Sequence, residues 1–240
     1  MIVVAGLAGP PARAAEKPEM LLSWNAPHGA PRASSGLVRN CGDTAAVDTL
    51  YLSYRLAEDH LALTGATALV MFHTSFGDSL SPFWITTEYP EKPRHLRVEF
   101  PSDTGAVFRA GWASVGFGDY AYYTEETRAI VRMIYAVPAF AADPIAGGRT
   151  YSLARILIDR TAARPGCDQA ICVELFDAEF KFSINQPTTK GAQVRQSFAT
   201  VNSESGIVCA QHRLIAEHRE EVKLPPLPTG GVTPRPPHDH

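Results

Sequence analysis

Nowhere in the 240 residues is there a run approaching the roughly 20 apolar residues that a membrane-spanning helix needs, so no span is expected. Basic charge is not in surplus either. The 22 Lys and Arg against 25 Asp and Glu give a formal net charge of −3, and the cations are scattered instead of gathered into a stripe that could follow phosphates. This excludes nucleic acid as an expected partner. There is no C-x-x-C pair and no Asp-rich calcium loop of the EF-hand type, and Gly116-Phe117-Gly118 lacks the third glycine and following helix of a dinucleotide site. No metal and no cofactor is expected. His212 and His218 stand six apart, which is not a helical metal pair, His238 and His240 close the tail, and His73 in an apolar segment reads as a satisfied core histidine.

Helical periodicity is also scarce, and alternation at period two takes its place in short runs bounded by Gly, Pro, Asp and Asn. Leu96 to Phe100 puts three apolar side chains on one face and two charges on the other, and Phe180 to Ile184 repeats the pattern. Leu50, Leu52 and Tyr54 alternate with Tyr51, Ser53 and Arg55, and Ala129, Val131, Met133, Tyr135 and Val137 line one face of a longer run. Denser segments, Ala66 to Phe76 and Tyr151 to Ile158, read as central strands covered on both faces. Phe83 to Thr86, Tyr120 to Thr124, Ile171 to Phe176 and Ser197 to Val201 are further candidates. Nine or ten short strands predict an all-β fold, an antiparallel β-sandwich of jelly-roll or immunoglobulin-like type. The one helix-like spacing, Ile207 to Val222, predicts a short C-terminal helix.

The hydrophobic fraction of 45% with 20% charged residues fits a globular chain with a true core. Residues 1–14 read as the remnant of a signal peptide: an apolar run from Met1 to Gly9, then Ala12-Arg13-Ala14 before Ala15 in the small-x-small pattern of a cleavage site. No Lys or Arg precedes that run, so a longer leader or a merely apolar N-terminus are both open. Residues 15–222 form the expected single sandwich domain, and 223–240, with Pro225, Pro226, Pro228, Gly230 and Gly231, form a Pro-rich disordered tail. An even set of four cysteines, Cys41, Cys167, Cys172 and Cys209, suggests two disulfides in an exported chain, secreted or held in the periplasm or at the cell surface. Three pairings are possible. The tight loop from Cys167 to Cys172 favours pairing those two and leaving Cys41 with Cys209.

Two groups of residues could carry function. Phe76-Gly77-Asp78-Ser79-Leu80-Ser81 after an apolar run resembles the first block of the GDSL-type serine esterases, which implies Ser79 as nucleophile. That chemistry needs a base and an orienting acid, and the family's D-x-x-H and G-x-N-D blocks do not occur here. Gly-Asp-Ser is otherwise ordinary turn chemistry. Among carboxylates, Glu58, Asp59, Glu88, Asp177 and Glu179 are candidates for sugar chemistry, although Asp177 and Glu179 lie opposite Phe180 and Phe182 and so read as a solvated face. Glu125 and Glu126 read as an exposed turn. The second group is aromatic: Trp84, Tyr89, Trp112, Phe117, Tyr120, Tyr122 and Tyr123 concentrate in the middle third, where exposed members could stack on sugar rings or anchor a protein.

The strand pattern from about Asp48 to Ile184 resembles a cohesin-type or related carbohydrate-binding-like β-sandwich. Thr49 to Arg55, Gly65 to Phe76, Gly147-Gly148-Arg149-Thr150-Tyr151 leading into Leu153 to Ile158, and Val173 to Phe180 carry that resemblance. It implies a secreted, non-catalytic module that binds a protein partner or a glycan, with an esterase using Ser79 as the alternative.

Overall fold

The computed structural model describes residues 18–38, 47–59, 63–74, 78–85, 95–101, 116–160, 165–182, 197–202 and 209. They form ten strands: β1 (Glu19–Trp24), β2 (Gly36–Leu37), β3 (Val47–Arg55), β4 (Leu63–His73), β5 (Leu96–Glu99), β6 (Phe117–Thr124), β7 (Arg128–Ala136), β8 (Thr150–Asp159), β9 (Ile171–Phe182) and β10 (Phe198–Val201). A four-stranded sheet runs β1-β3-β8-β5 and a six-stranded sheet runs β2-β10-β9-β4-β7-β6. All pairings are antiparallel except that of β10 with β2. The expected antiparallel sandwich is the observed one, with one core between the sheets.

The alternation read from the sequence becomes inward and outward faces. Leu50, Leu52 and Tyr54 of β3 and Ala129, Val131, Met133 and Tyr135 of β7 all enter the shared core. Both dense segments are central, β8 between β3 and β5, β4 between β9 and β7. The density of β8 has a further cause. Its register with β3 shifts at Leu52/Ser53, so Tyr151 and Leu153 face inward before the irregularity and Ala154, Ile156 and Ile158 after it. A shift in β9 opposite Leu69/Val70 does the same: Ile171, Val173 and Leu175 point inward, then Ala178, Phe180 and Phe182. One extra residue in a strand exchanges the two faces and keeps every large apolar group inside. At the exchange, Phe176 and Asp177 both emerge exposed.

The two sheets are tied at both edges. On one side the fully buried Trp24 donates its indole N–H to the Thr200 carbonyl at 3.0 Å, and the Leu22 amide donates to Ser197 Oγ at 3.0 Å, joining β1 to the β10 region. On the other side Tyr120 donates its hydroxyl to the Leu96 carbonyl at 3.2 Å, and the Phe100 ring stacks on Tyr135 with centroids 5.5 Å apart. A Cβ on Gly118 would collide with that Phe100 ring, which is why the smallest residue stands there.

Three expectations change. Phe83 to Thr86 is not a strand where it is described: Pro82 opens a turn in which the Trp84 amide donates to the Ser81 carbonyl at 2.9 Å, and both rings fold into the core. Strand β1 was not foreseen, although Met20, Leu22 and Trp24 alternate inward. Strands Ile171 to Phe176 and Phe180 to Ile184 are one strand, β9, as far as Phe182. The proposed C-terminal helix and tail lie outside the described residues except for Cys209.

Candidate functional site

Ser79 lies beyond β4 at the end of the sandwich where three connections meet. Its hydroxyl donates to Glu126 Oε1 at 3.3 Å, and the Leu80 amide donates to the Glu126 carbonyl at 2.8 Å. The Gln169 side chain bonds both the Ser79 carbonyl (2.9 Å) and the Ser81 amide (2.7 Å), and Ser81 Oγ donates to the Gly166 carbonyl at 2.8 Å. Gly166 has φ +90, and a Cβ there would strike Ser81, so two loops approach as closely as a glycine permits. Among the described residues no imidazole is bonded to Ser79. His73, on β4, instead sits beside the Glu174 carboxylate, Nε2 to Oε2 3.6 Å, with Nδ1 3.2 Å from the Thr74 carbonyl. Among the described residues, the hydrogen bonds of Ser79 and Ser81 clasp neighbouring loops together.

The remaining carboxylates are dispersed. Glu58 and Asp59 are exposed, with Asp59 accepting from the Gly147 amide at 2.7 Å, and Asp177 lies on the outward face of β9 as the pattern predicts. Glu125 and Glu126 form the exposed β6–β7 turn, where Glu125 pairs with Arg128 at 2.6 Å. Glu88 is outside the described residues.

The aromatic candidates separate by depth. Trp84 is fully buried, stacked on Phe72 at 5.3 Å and edge-on to Phe83 at 5.1 Å. Tyr122 is buried with its hydroxyl donating to the Trp84 carbonyl at 2.5 Å, and burial pushes its phenol pKa well up. Both are corrections to the expected ligand platform: inward parity on β6 and the turn at Ser81 turn these rings into core. Tyr120 is half-buried in the edge tie described above, and Tyr123, also half-buried, packs outward against Leu69, Met71 and Ile130. Trp112 lies outside the described residues.

The cysteine pairing is also corrected. Cys172 is bonded to Cys209, with Cα atoms 5.2 Å apart across a sequence separation of 37, and Cys167 is disulfide-bonded as well. Cys167 and Cys172 do not pair because they lie on opposite faces: Cys167 joins the central core, while Cys172 follows the inward Ile171 and points out of the six-stranded sheet. Cys41 is outside the described residues.

That outward face of the six-stranded sheet can be read row by row from the register. Across β9-β4-β7-β6 the rows are Lys181, Gly65, Ala136, Phe117; then Glu179, Thr67, Ile134, Asp119; then Asp177, Leu69, Arg132, Ala121; then Glu174, Met71, Ile130, Tyr123; and lastly Cys172, His73 and Arg128. The face divides in two. At the disulfide end Met71, Ile130, His73 and Glu174 are buried. Toward the other end Phe117 is 71% exposed and Ile134 46%, and Phe176, at the irregularity of β9 between the Asp177 and Glu174 rows, is 37% exposed. Phe117 belongs to the aromatic group read from the sequence, whereas Ile134 and Phe176 were not singled out there. Ile134 stands on the off-parity side of the alternating run from Ala129, a signal that was available.

The outward face of the four-stranded sheet differs. It carries ion pairs, Glu19 with Arg55 and Glu99 with both Arg155 (2.5 Å) and Arg97 (2.7 Å).

The fold thus defines an antiparallel β-sandwich module closed along both edges. No protein-family model matches the chain, and no curated protein matches it. Among solved structures, it is similar to the second type II cohesin module from the cellulosomal adaptor ScaA scaffoldin of Acetivibrio cellulolyticus, with TM-score 0.42 and 7% identity over 79% of this chain and 98% of that one. AvmM, which catalyses macrocyclization in alchivemycin A biosynthesis, aligns with TM-score 0.37 and 7% identity over 76% of this chain and 87% of that one. At this level the similarities carry no argument about activity.

Proposed function

We propose that the chain is an exported, non-catalytic β-sandwich module that binds a protein partner on the open half of the six-stranded sheet's outer face. The observation that carries this reading is that Phe117 and Ile134, on the neighbouring strands β6 and β7, stay 71% and 46% exposed, with Phe176 at the β9 irregularity 37% exposed, among the charges of Asp119, Arg132, Asp177, Glu179 and Lys181. An apolar centre with a polar rim is the anatomy of a protein interface. Export is supported by the Cys172–Cys209 bond and by the lack of a free cysteine among the described residues, since disulfides persist in oxidising compartments. A glycan platform has less support, because Trp84 and Tyr122 are committed to the core.

The test is a parallel screen of the full chain against proteins and glycans, repeated with Ile134→Asp and with Arg97→Ala on the opposite sheet. Binding of a protein that Ile134→Asp abolishes and Arg97→Ala leaves intact is the expected outcome. Glycan binding alone, or ester turnover lost in Ser79→Ala, would overturn the proposal.

A further inference from the structure

The disulfide half of the same outer face is buried although it stands outside the core. Ile130 and Ile134 show the contrast within one strand and one residue type: both point outward from β7, yet Ile134 is 46% exposed and Ile130 only 4%. Leu69 and Met71 are as deeply buried as Ile130, and with Tyr123 these three form an apolar cluster separate from the core. Among the described residues, every member of that cluster belongs to β4, β6 or β7. Neighbours within a sheet cover the flanks of a side chain and leave its top open. The Tyr123 hydroxyl is buried too, as are His73 and Glu174 in the adjoining rows. A sheet alone does not withdraw such polar groups from water on its outer side, so a second layer of chain lies over this half.

Cys209 indicates which chain supplies that layer. It is buried and fixed on this face by its bond to Cys172, one row from Glu174, Met71 and Ile130. With strands ~4.8 Å apart and successive rows ~6.8 Å apart, Met71 lies about 8 Å from Cys172 and Ile130 about 12 Å. Leu214 and Ile215 are the first large apolar residues after Cys209, and their distance along the chain is roughly 7–9 Å if helical and 16–20 Å if extended. Other stretches begin farther away. Residues 102–115 join Pro101, beside the Phe100 ring on Tyr135, to Gly116, where a Cβ would meet the Tyr135 hydroxyl, so both ends are at the open end of the sheet. Residues 183–196 follow Phe182, beyond the Lys181 row at that same end. Residues 86–94 join Ile85, packed on the core, to His95, whose carbonyl accepts from the Asp159 amide of the other sheet.

From this we infer that the chain from Ala210 to Val222 is a built-in strap: pinned by the Cys172–Cys209 bond, it lies across Leu69, Met71 and Ile130 and closes the disulfide half of the outer face to external partners. The open half around Phe117 and Ile134 is the part of the face that the strap leaves uncovered. The strap rests on burial and on the disulfide, needs no partner, and is independent of the binding reading.

Peroxide oxidation of methionine reads the cover directly, because the thioether becomes a sulfoxide, with water as the by-product, only as fast as the oxidant reaches it. Met71 lies under the strap, whereas Met20 and Met133 belong to the main core and report whether the fold is intact. In the full chain all three should resist oxidation, as followed by peptide mass spectrometry. Leu214→Asp combined with Ile215→Asp should speed oxidation of Met71 by roughly tenfold and leave Met20 and Met133 protected, while Leu227→Asp in the Pro-rich stretch should change none of them. Met71 still protected in the double variant overturns the inference. If that variant exposes all three methionines, a second measurement decides. A benzophenone amino acid at Tyr123 in the otherwise unaltered chain should cross-link within residues 210–222 on irradiation, and cross-links only to other stretches, or none at all, overturn the strap. Both measurements are made without a partner, so failure of the strap and failure of the binding reading are seen separately.

Discussion

Replacing Trp24 with Phe should destabilise the sandwich far more than its place near the start of the described chain suggests. Trp24 is completely buried, and its indole N–H is the donor to Thr200 at 3.0 Å that couples β1 of one sheet to β10 of the other. Phe keeps the aromatic body but cannot donate. Leaving a buried acceptor without that bond costs about 1–3 kcal/mol, and the smaller ring leaves a void worth roughly another 1 kcal/mol. The sum, about 2–4 kcal/mol, corresponds to a fall in melting temperature of roughly 4–16 °C for a chain of this size. Thermal melts followed by circular dichroism measure it, with Phe140→Ala as the control, since Phe140 is 92% exposed and its loss should change stability by no more than ~0.5 kcal/mol. A Trp24→Phe midpoint within about 1 °C of the control, on the same scale of degrees per kcal/mol, would show that the edge is not held by this bond.

Peptide mapping without reduction should find Cys172 joined to Cys209 and Cys167 joined to Cys41; a Cys167–Cys172 fragment would contradict the placement of those residues on opposite faces. Replacing Cys172 and Cys209 together with Ser should lower stability by roughly 4 kcal/mol on the chain-entropy account of a loop near 37 residues, as read from a urea titration. Tyr54 and Tyr122 have phenol pKa values raised chiefly by burial. A raised folded pKa means stability that is whole below the unfolded value of about 10 and lost as pH climbs above it. Phenolate absorbance should therefore lag behind free tyrosine above pH ~10 and appear together with unfolding; full ionisation in a still-folded chain would refute it. Ser79→Ala should remove one exposed hydrogen bond to Glu126, change stability by less than about 1 kcal/mol, and leave any ester hydrolysis in a preparation unchanged.

The fold was legible because one signal, alternation, recurs in many segments that agree with one another. Leu96 to Phe100 and Ala129 to Val137 became faces of β5 and β7 with the expected residues inward. What the pattern hid were the places where parity changes. Phe176-Asp177 interrupts β9, so two expected strands are one, and no local composition marks that residue as extra. The same blindness affected depth. Trp84 and Tyr122 look like Tyr123 in sequence, but whether a ring points in or out depends on strand parity and on a turn begun at Ser81. The disulfide was misassigned for a related reason: closeness along the chain favours Cys167 with Cys172, while the sheet puts them on opposite sides. The exposure of Ile134 and Phe176 became visible only once strand parity and the shift in β9 were known.

The most direct test of a binding role for this face is site-specific photo-crosslinking of the full chain, with a benzophenone amino acid placed at Ile134 or, separately, at Arg97, which is exposed on the opposite sheet. A discrete protein adduct from position 134 and none from position 97 is the predicted result. Adducts of equal yield from both positions, or from position 97 alone, would contradict it.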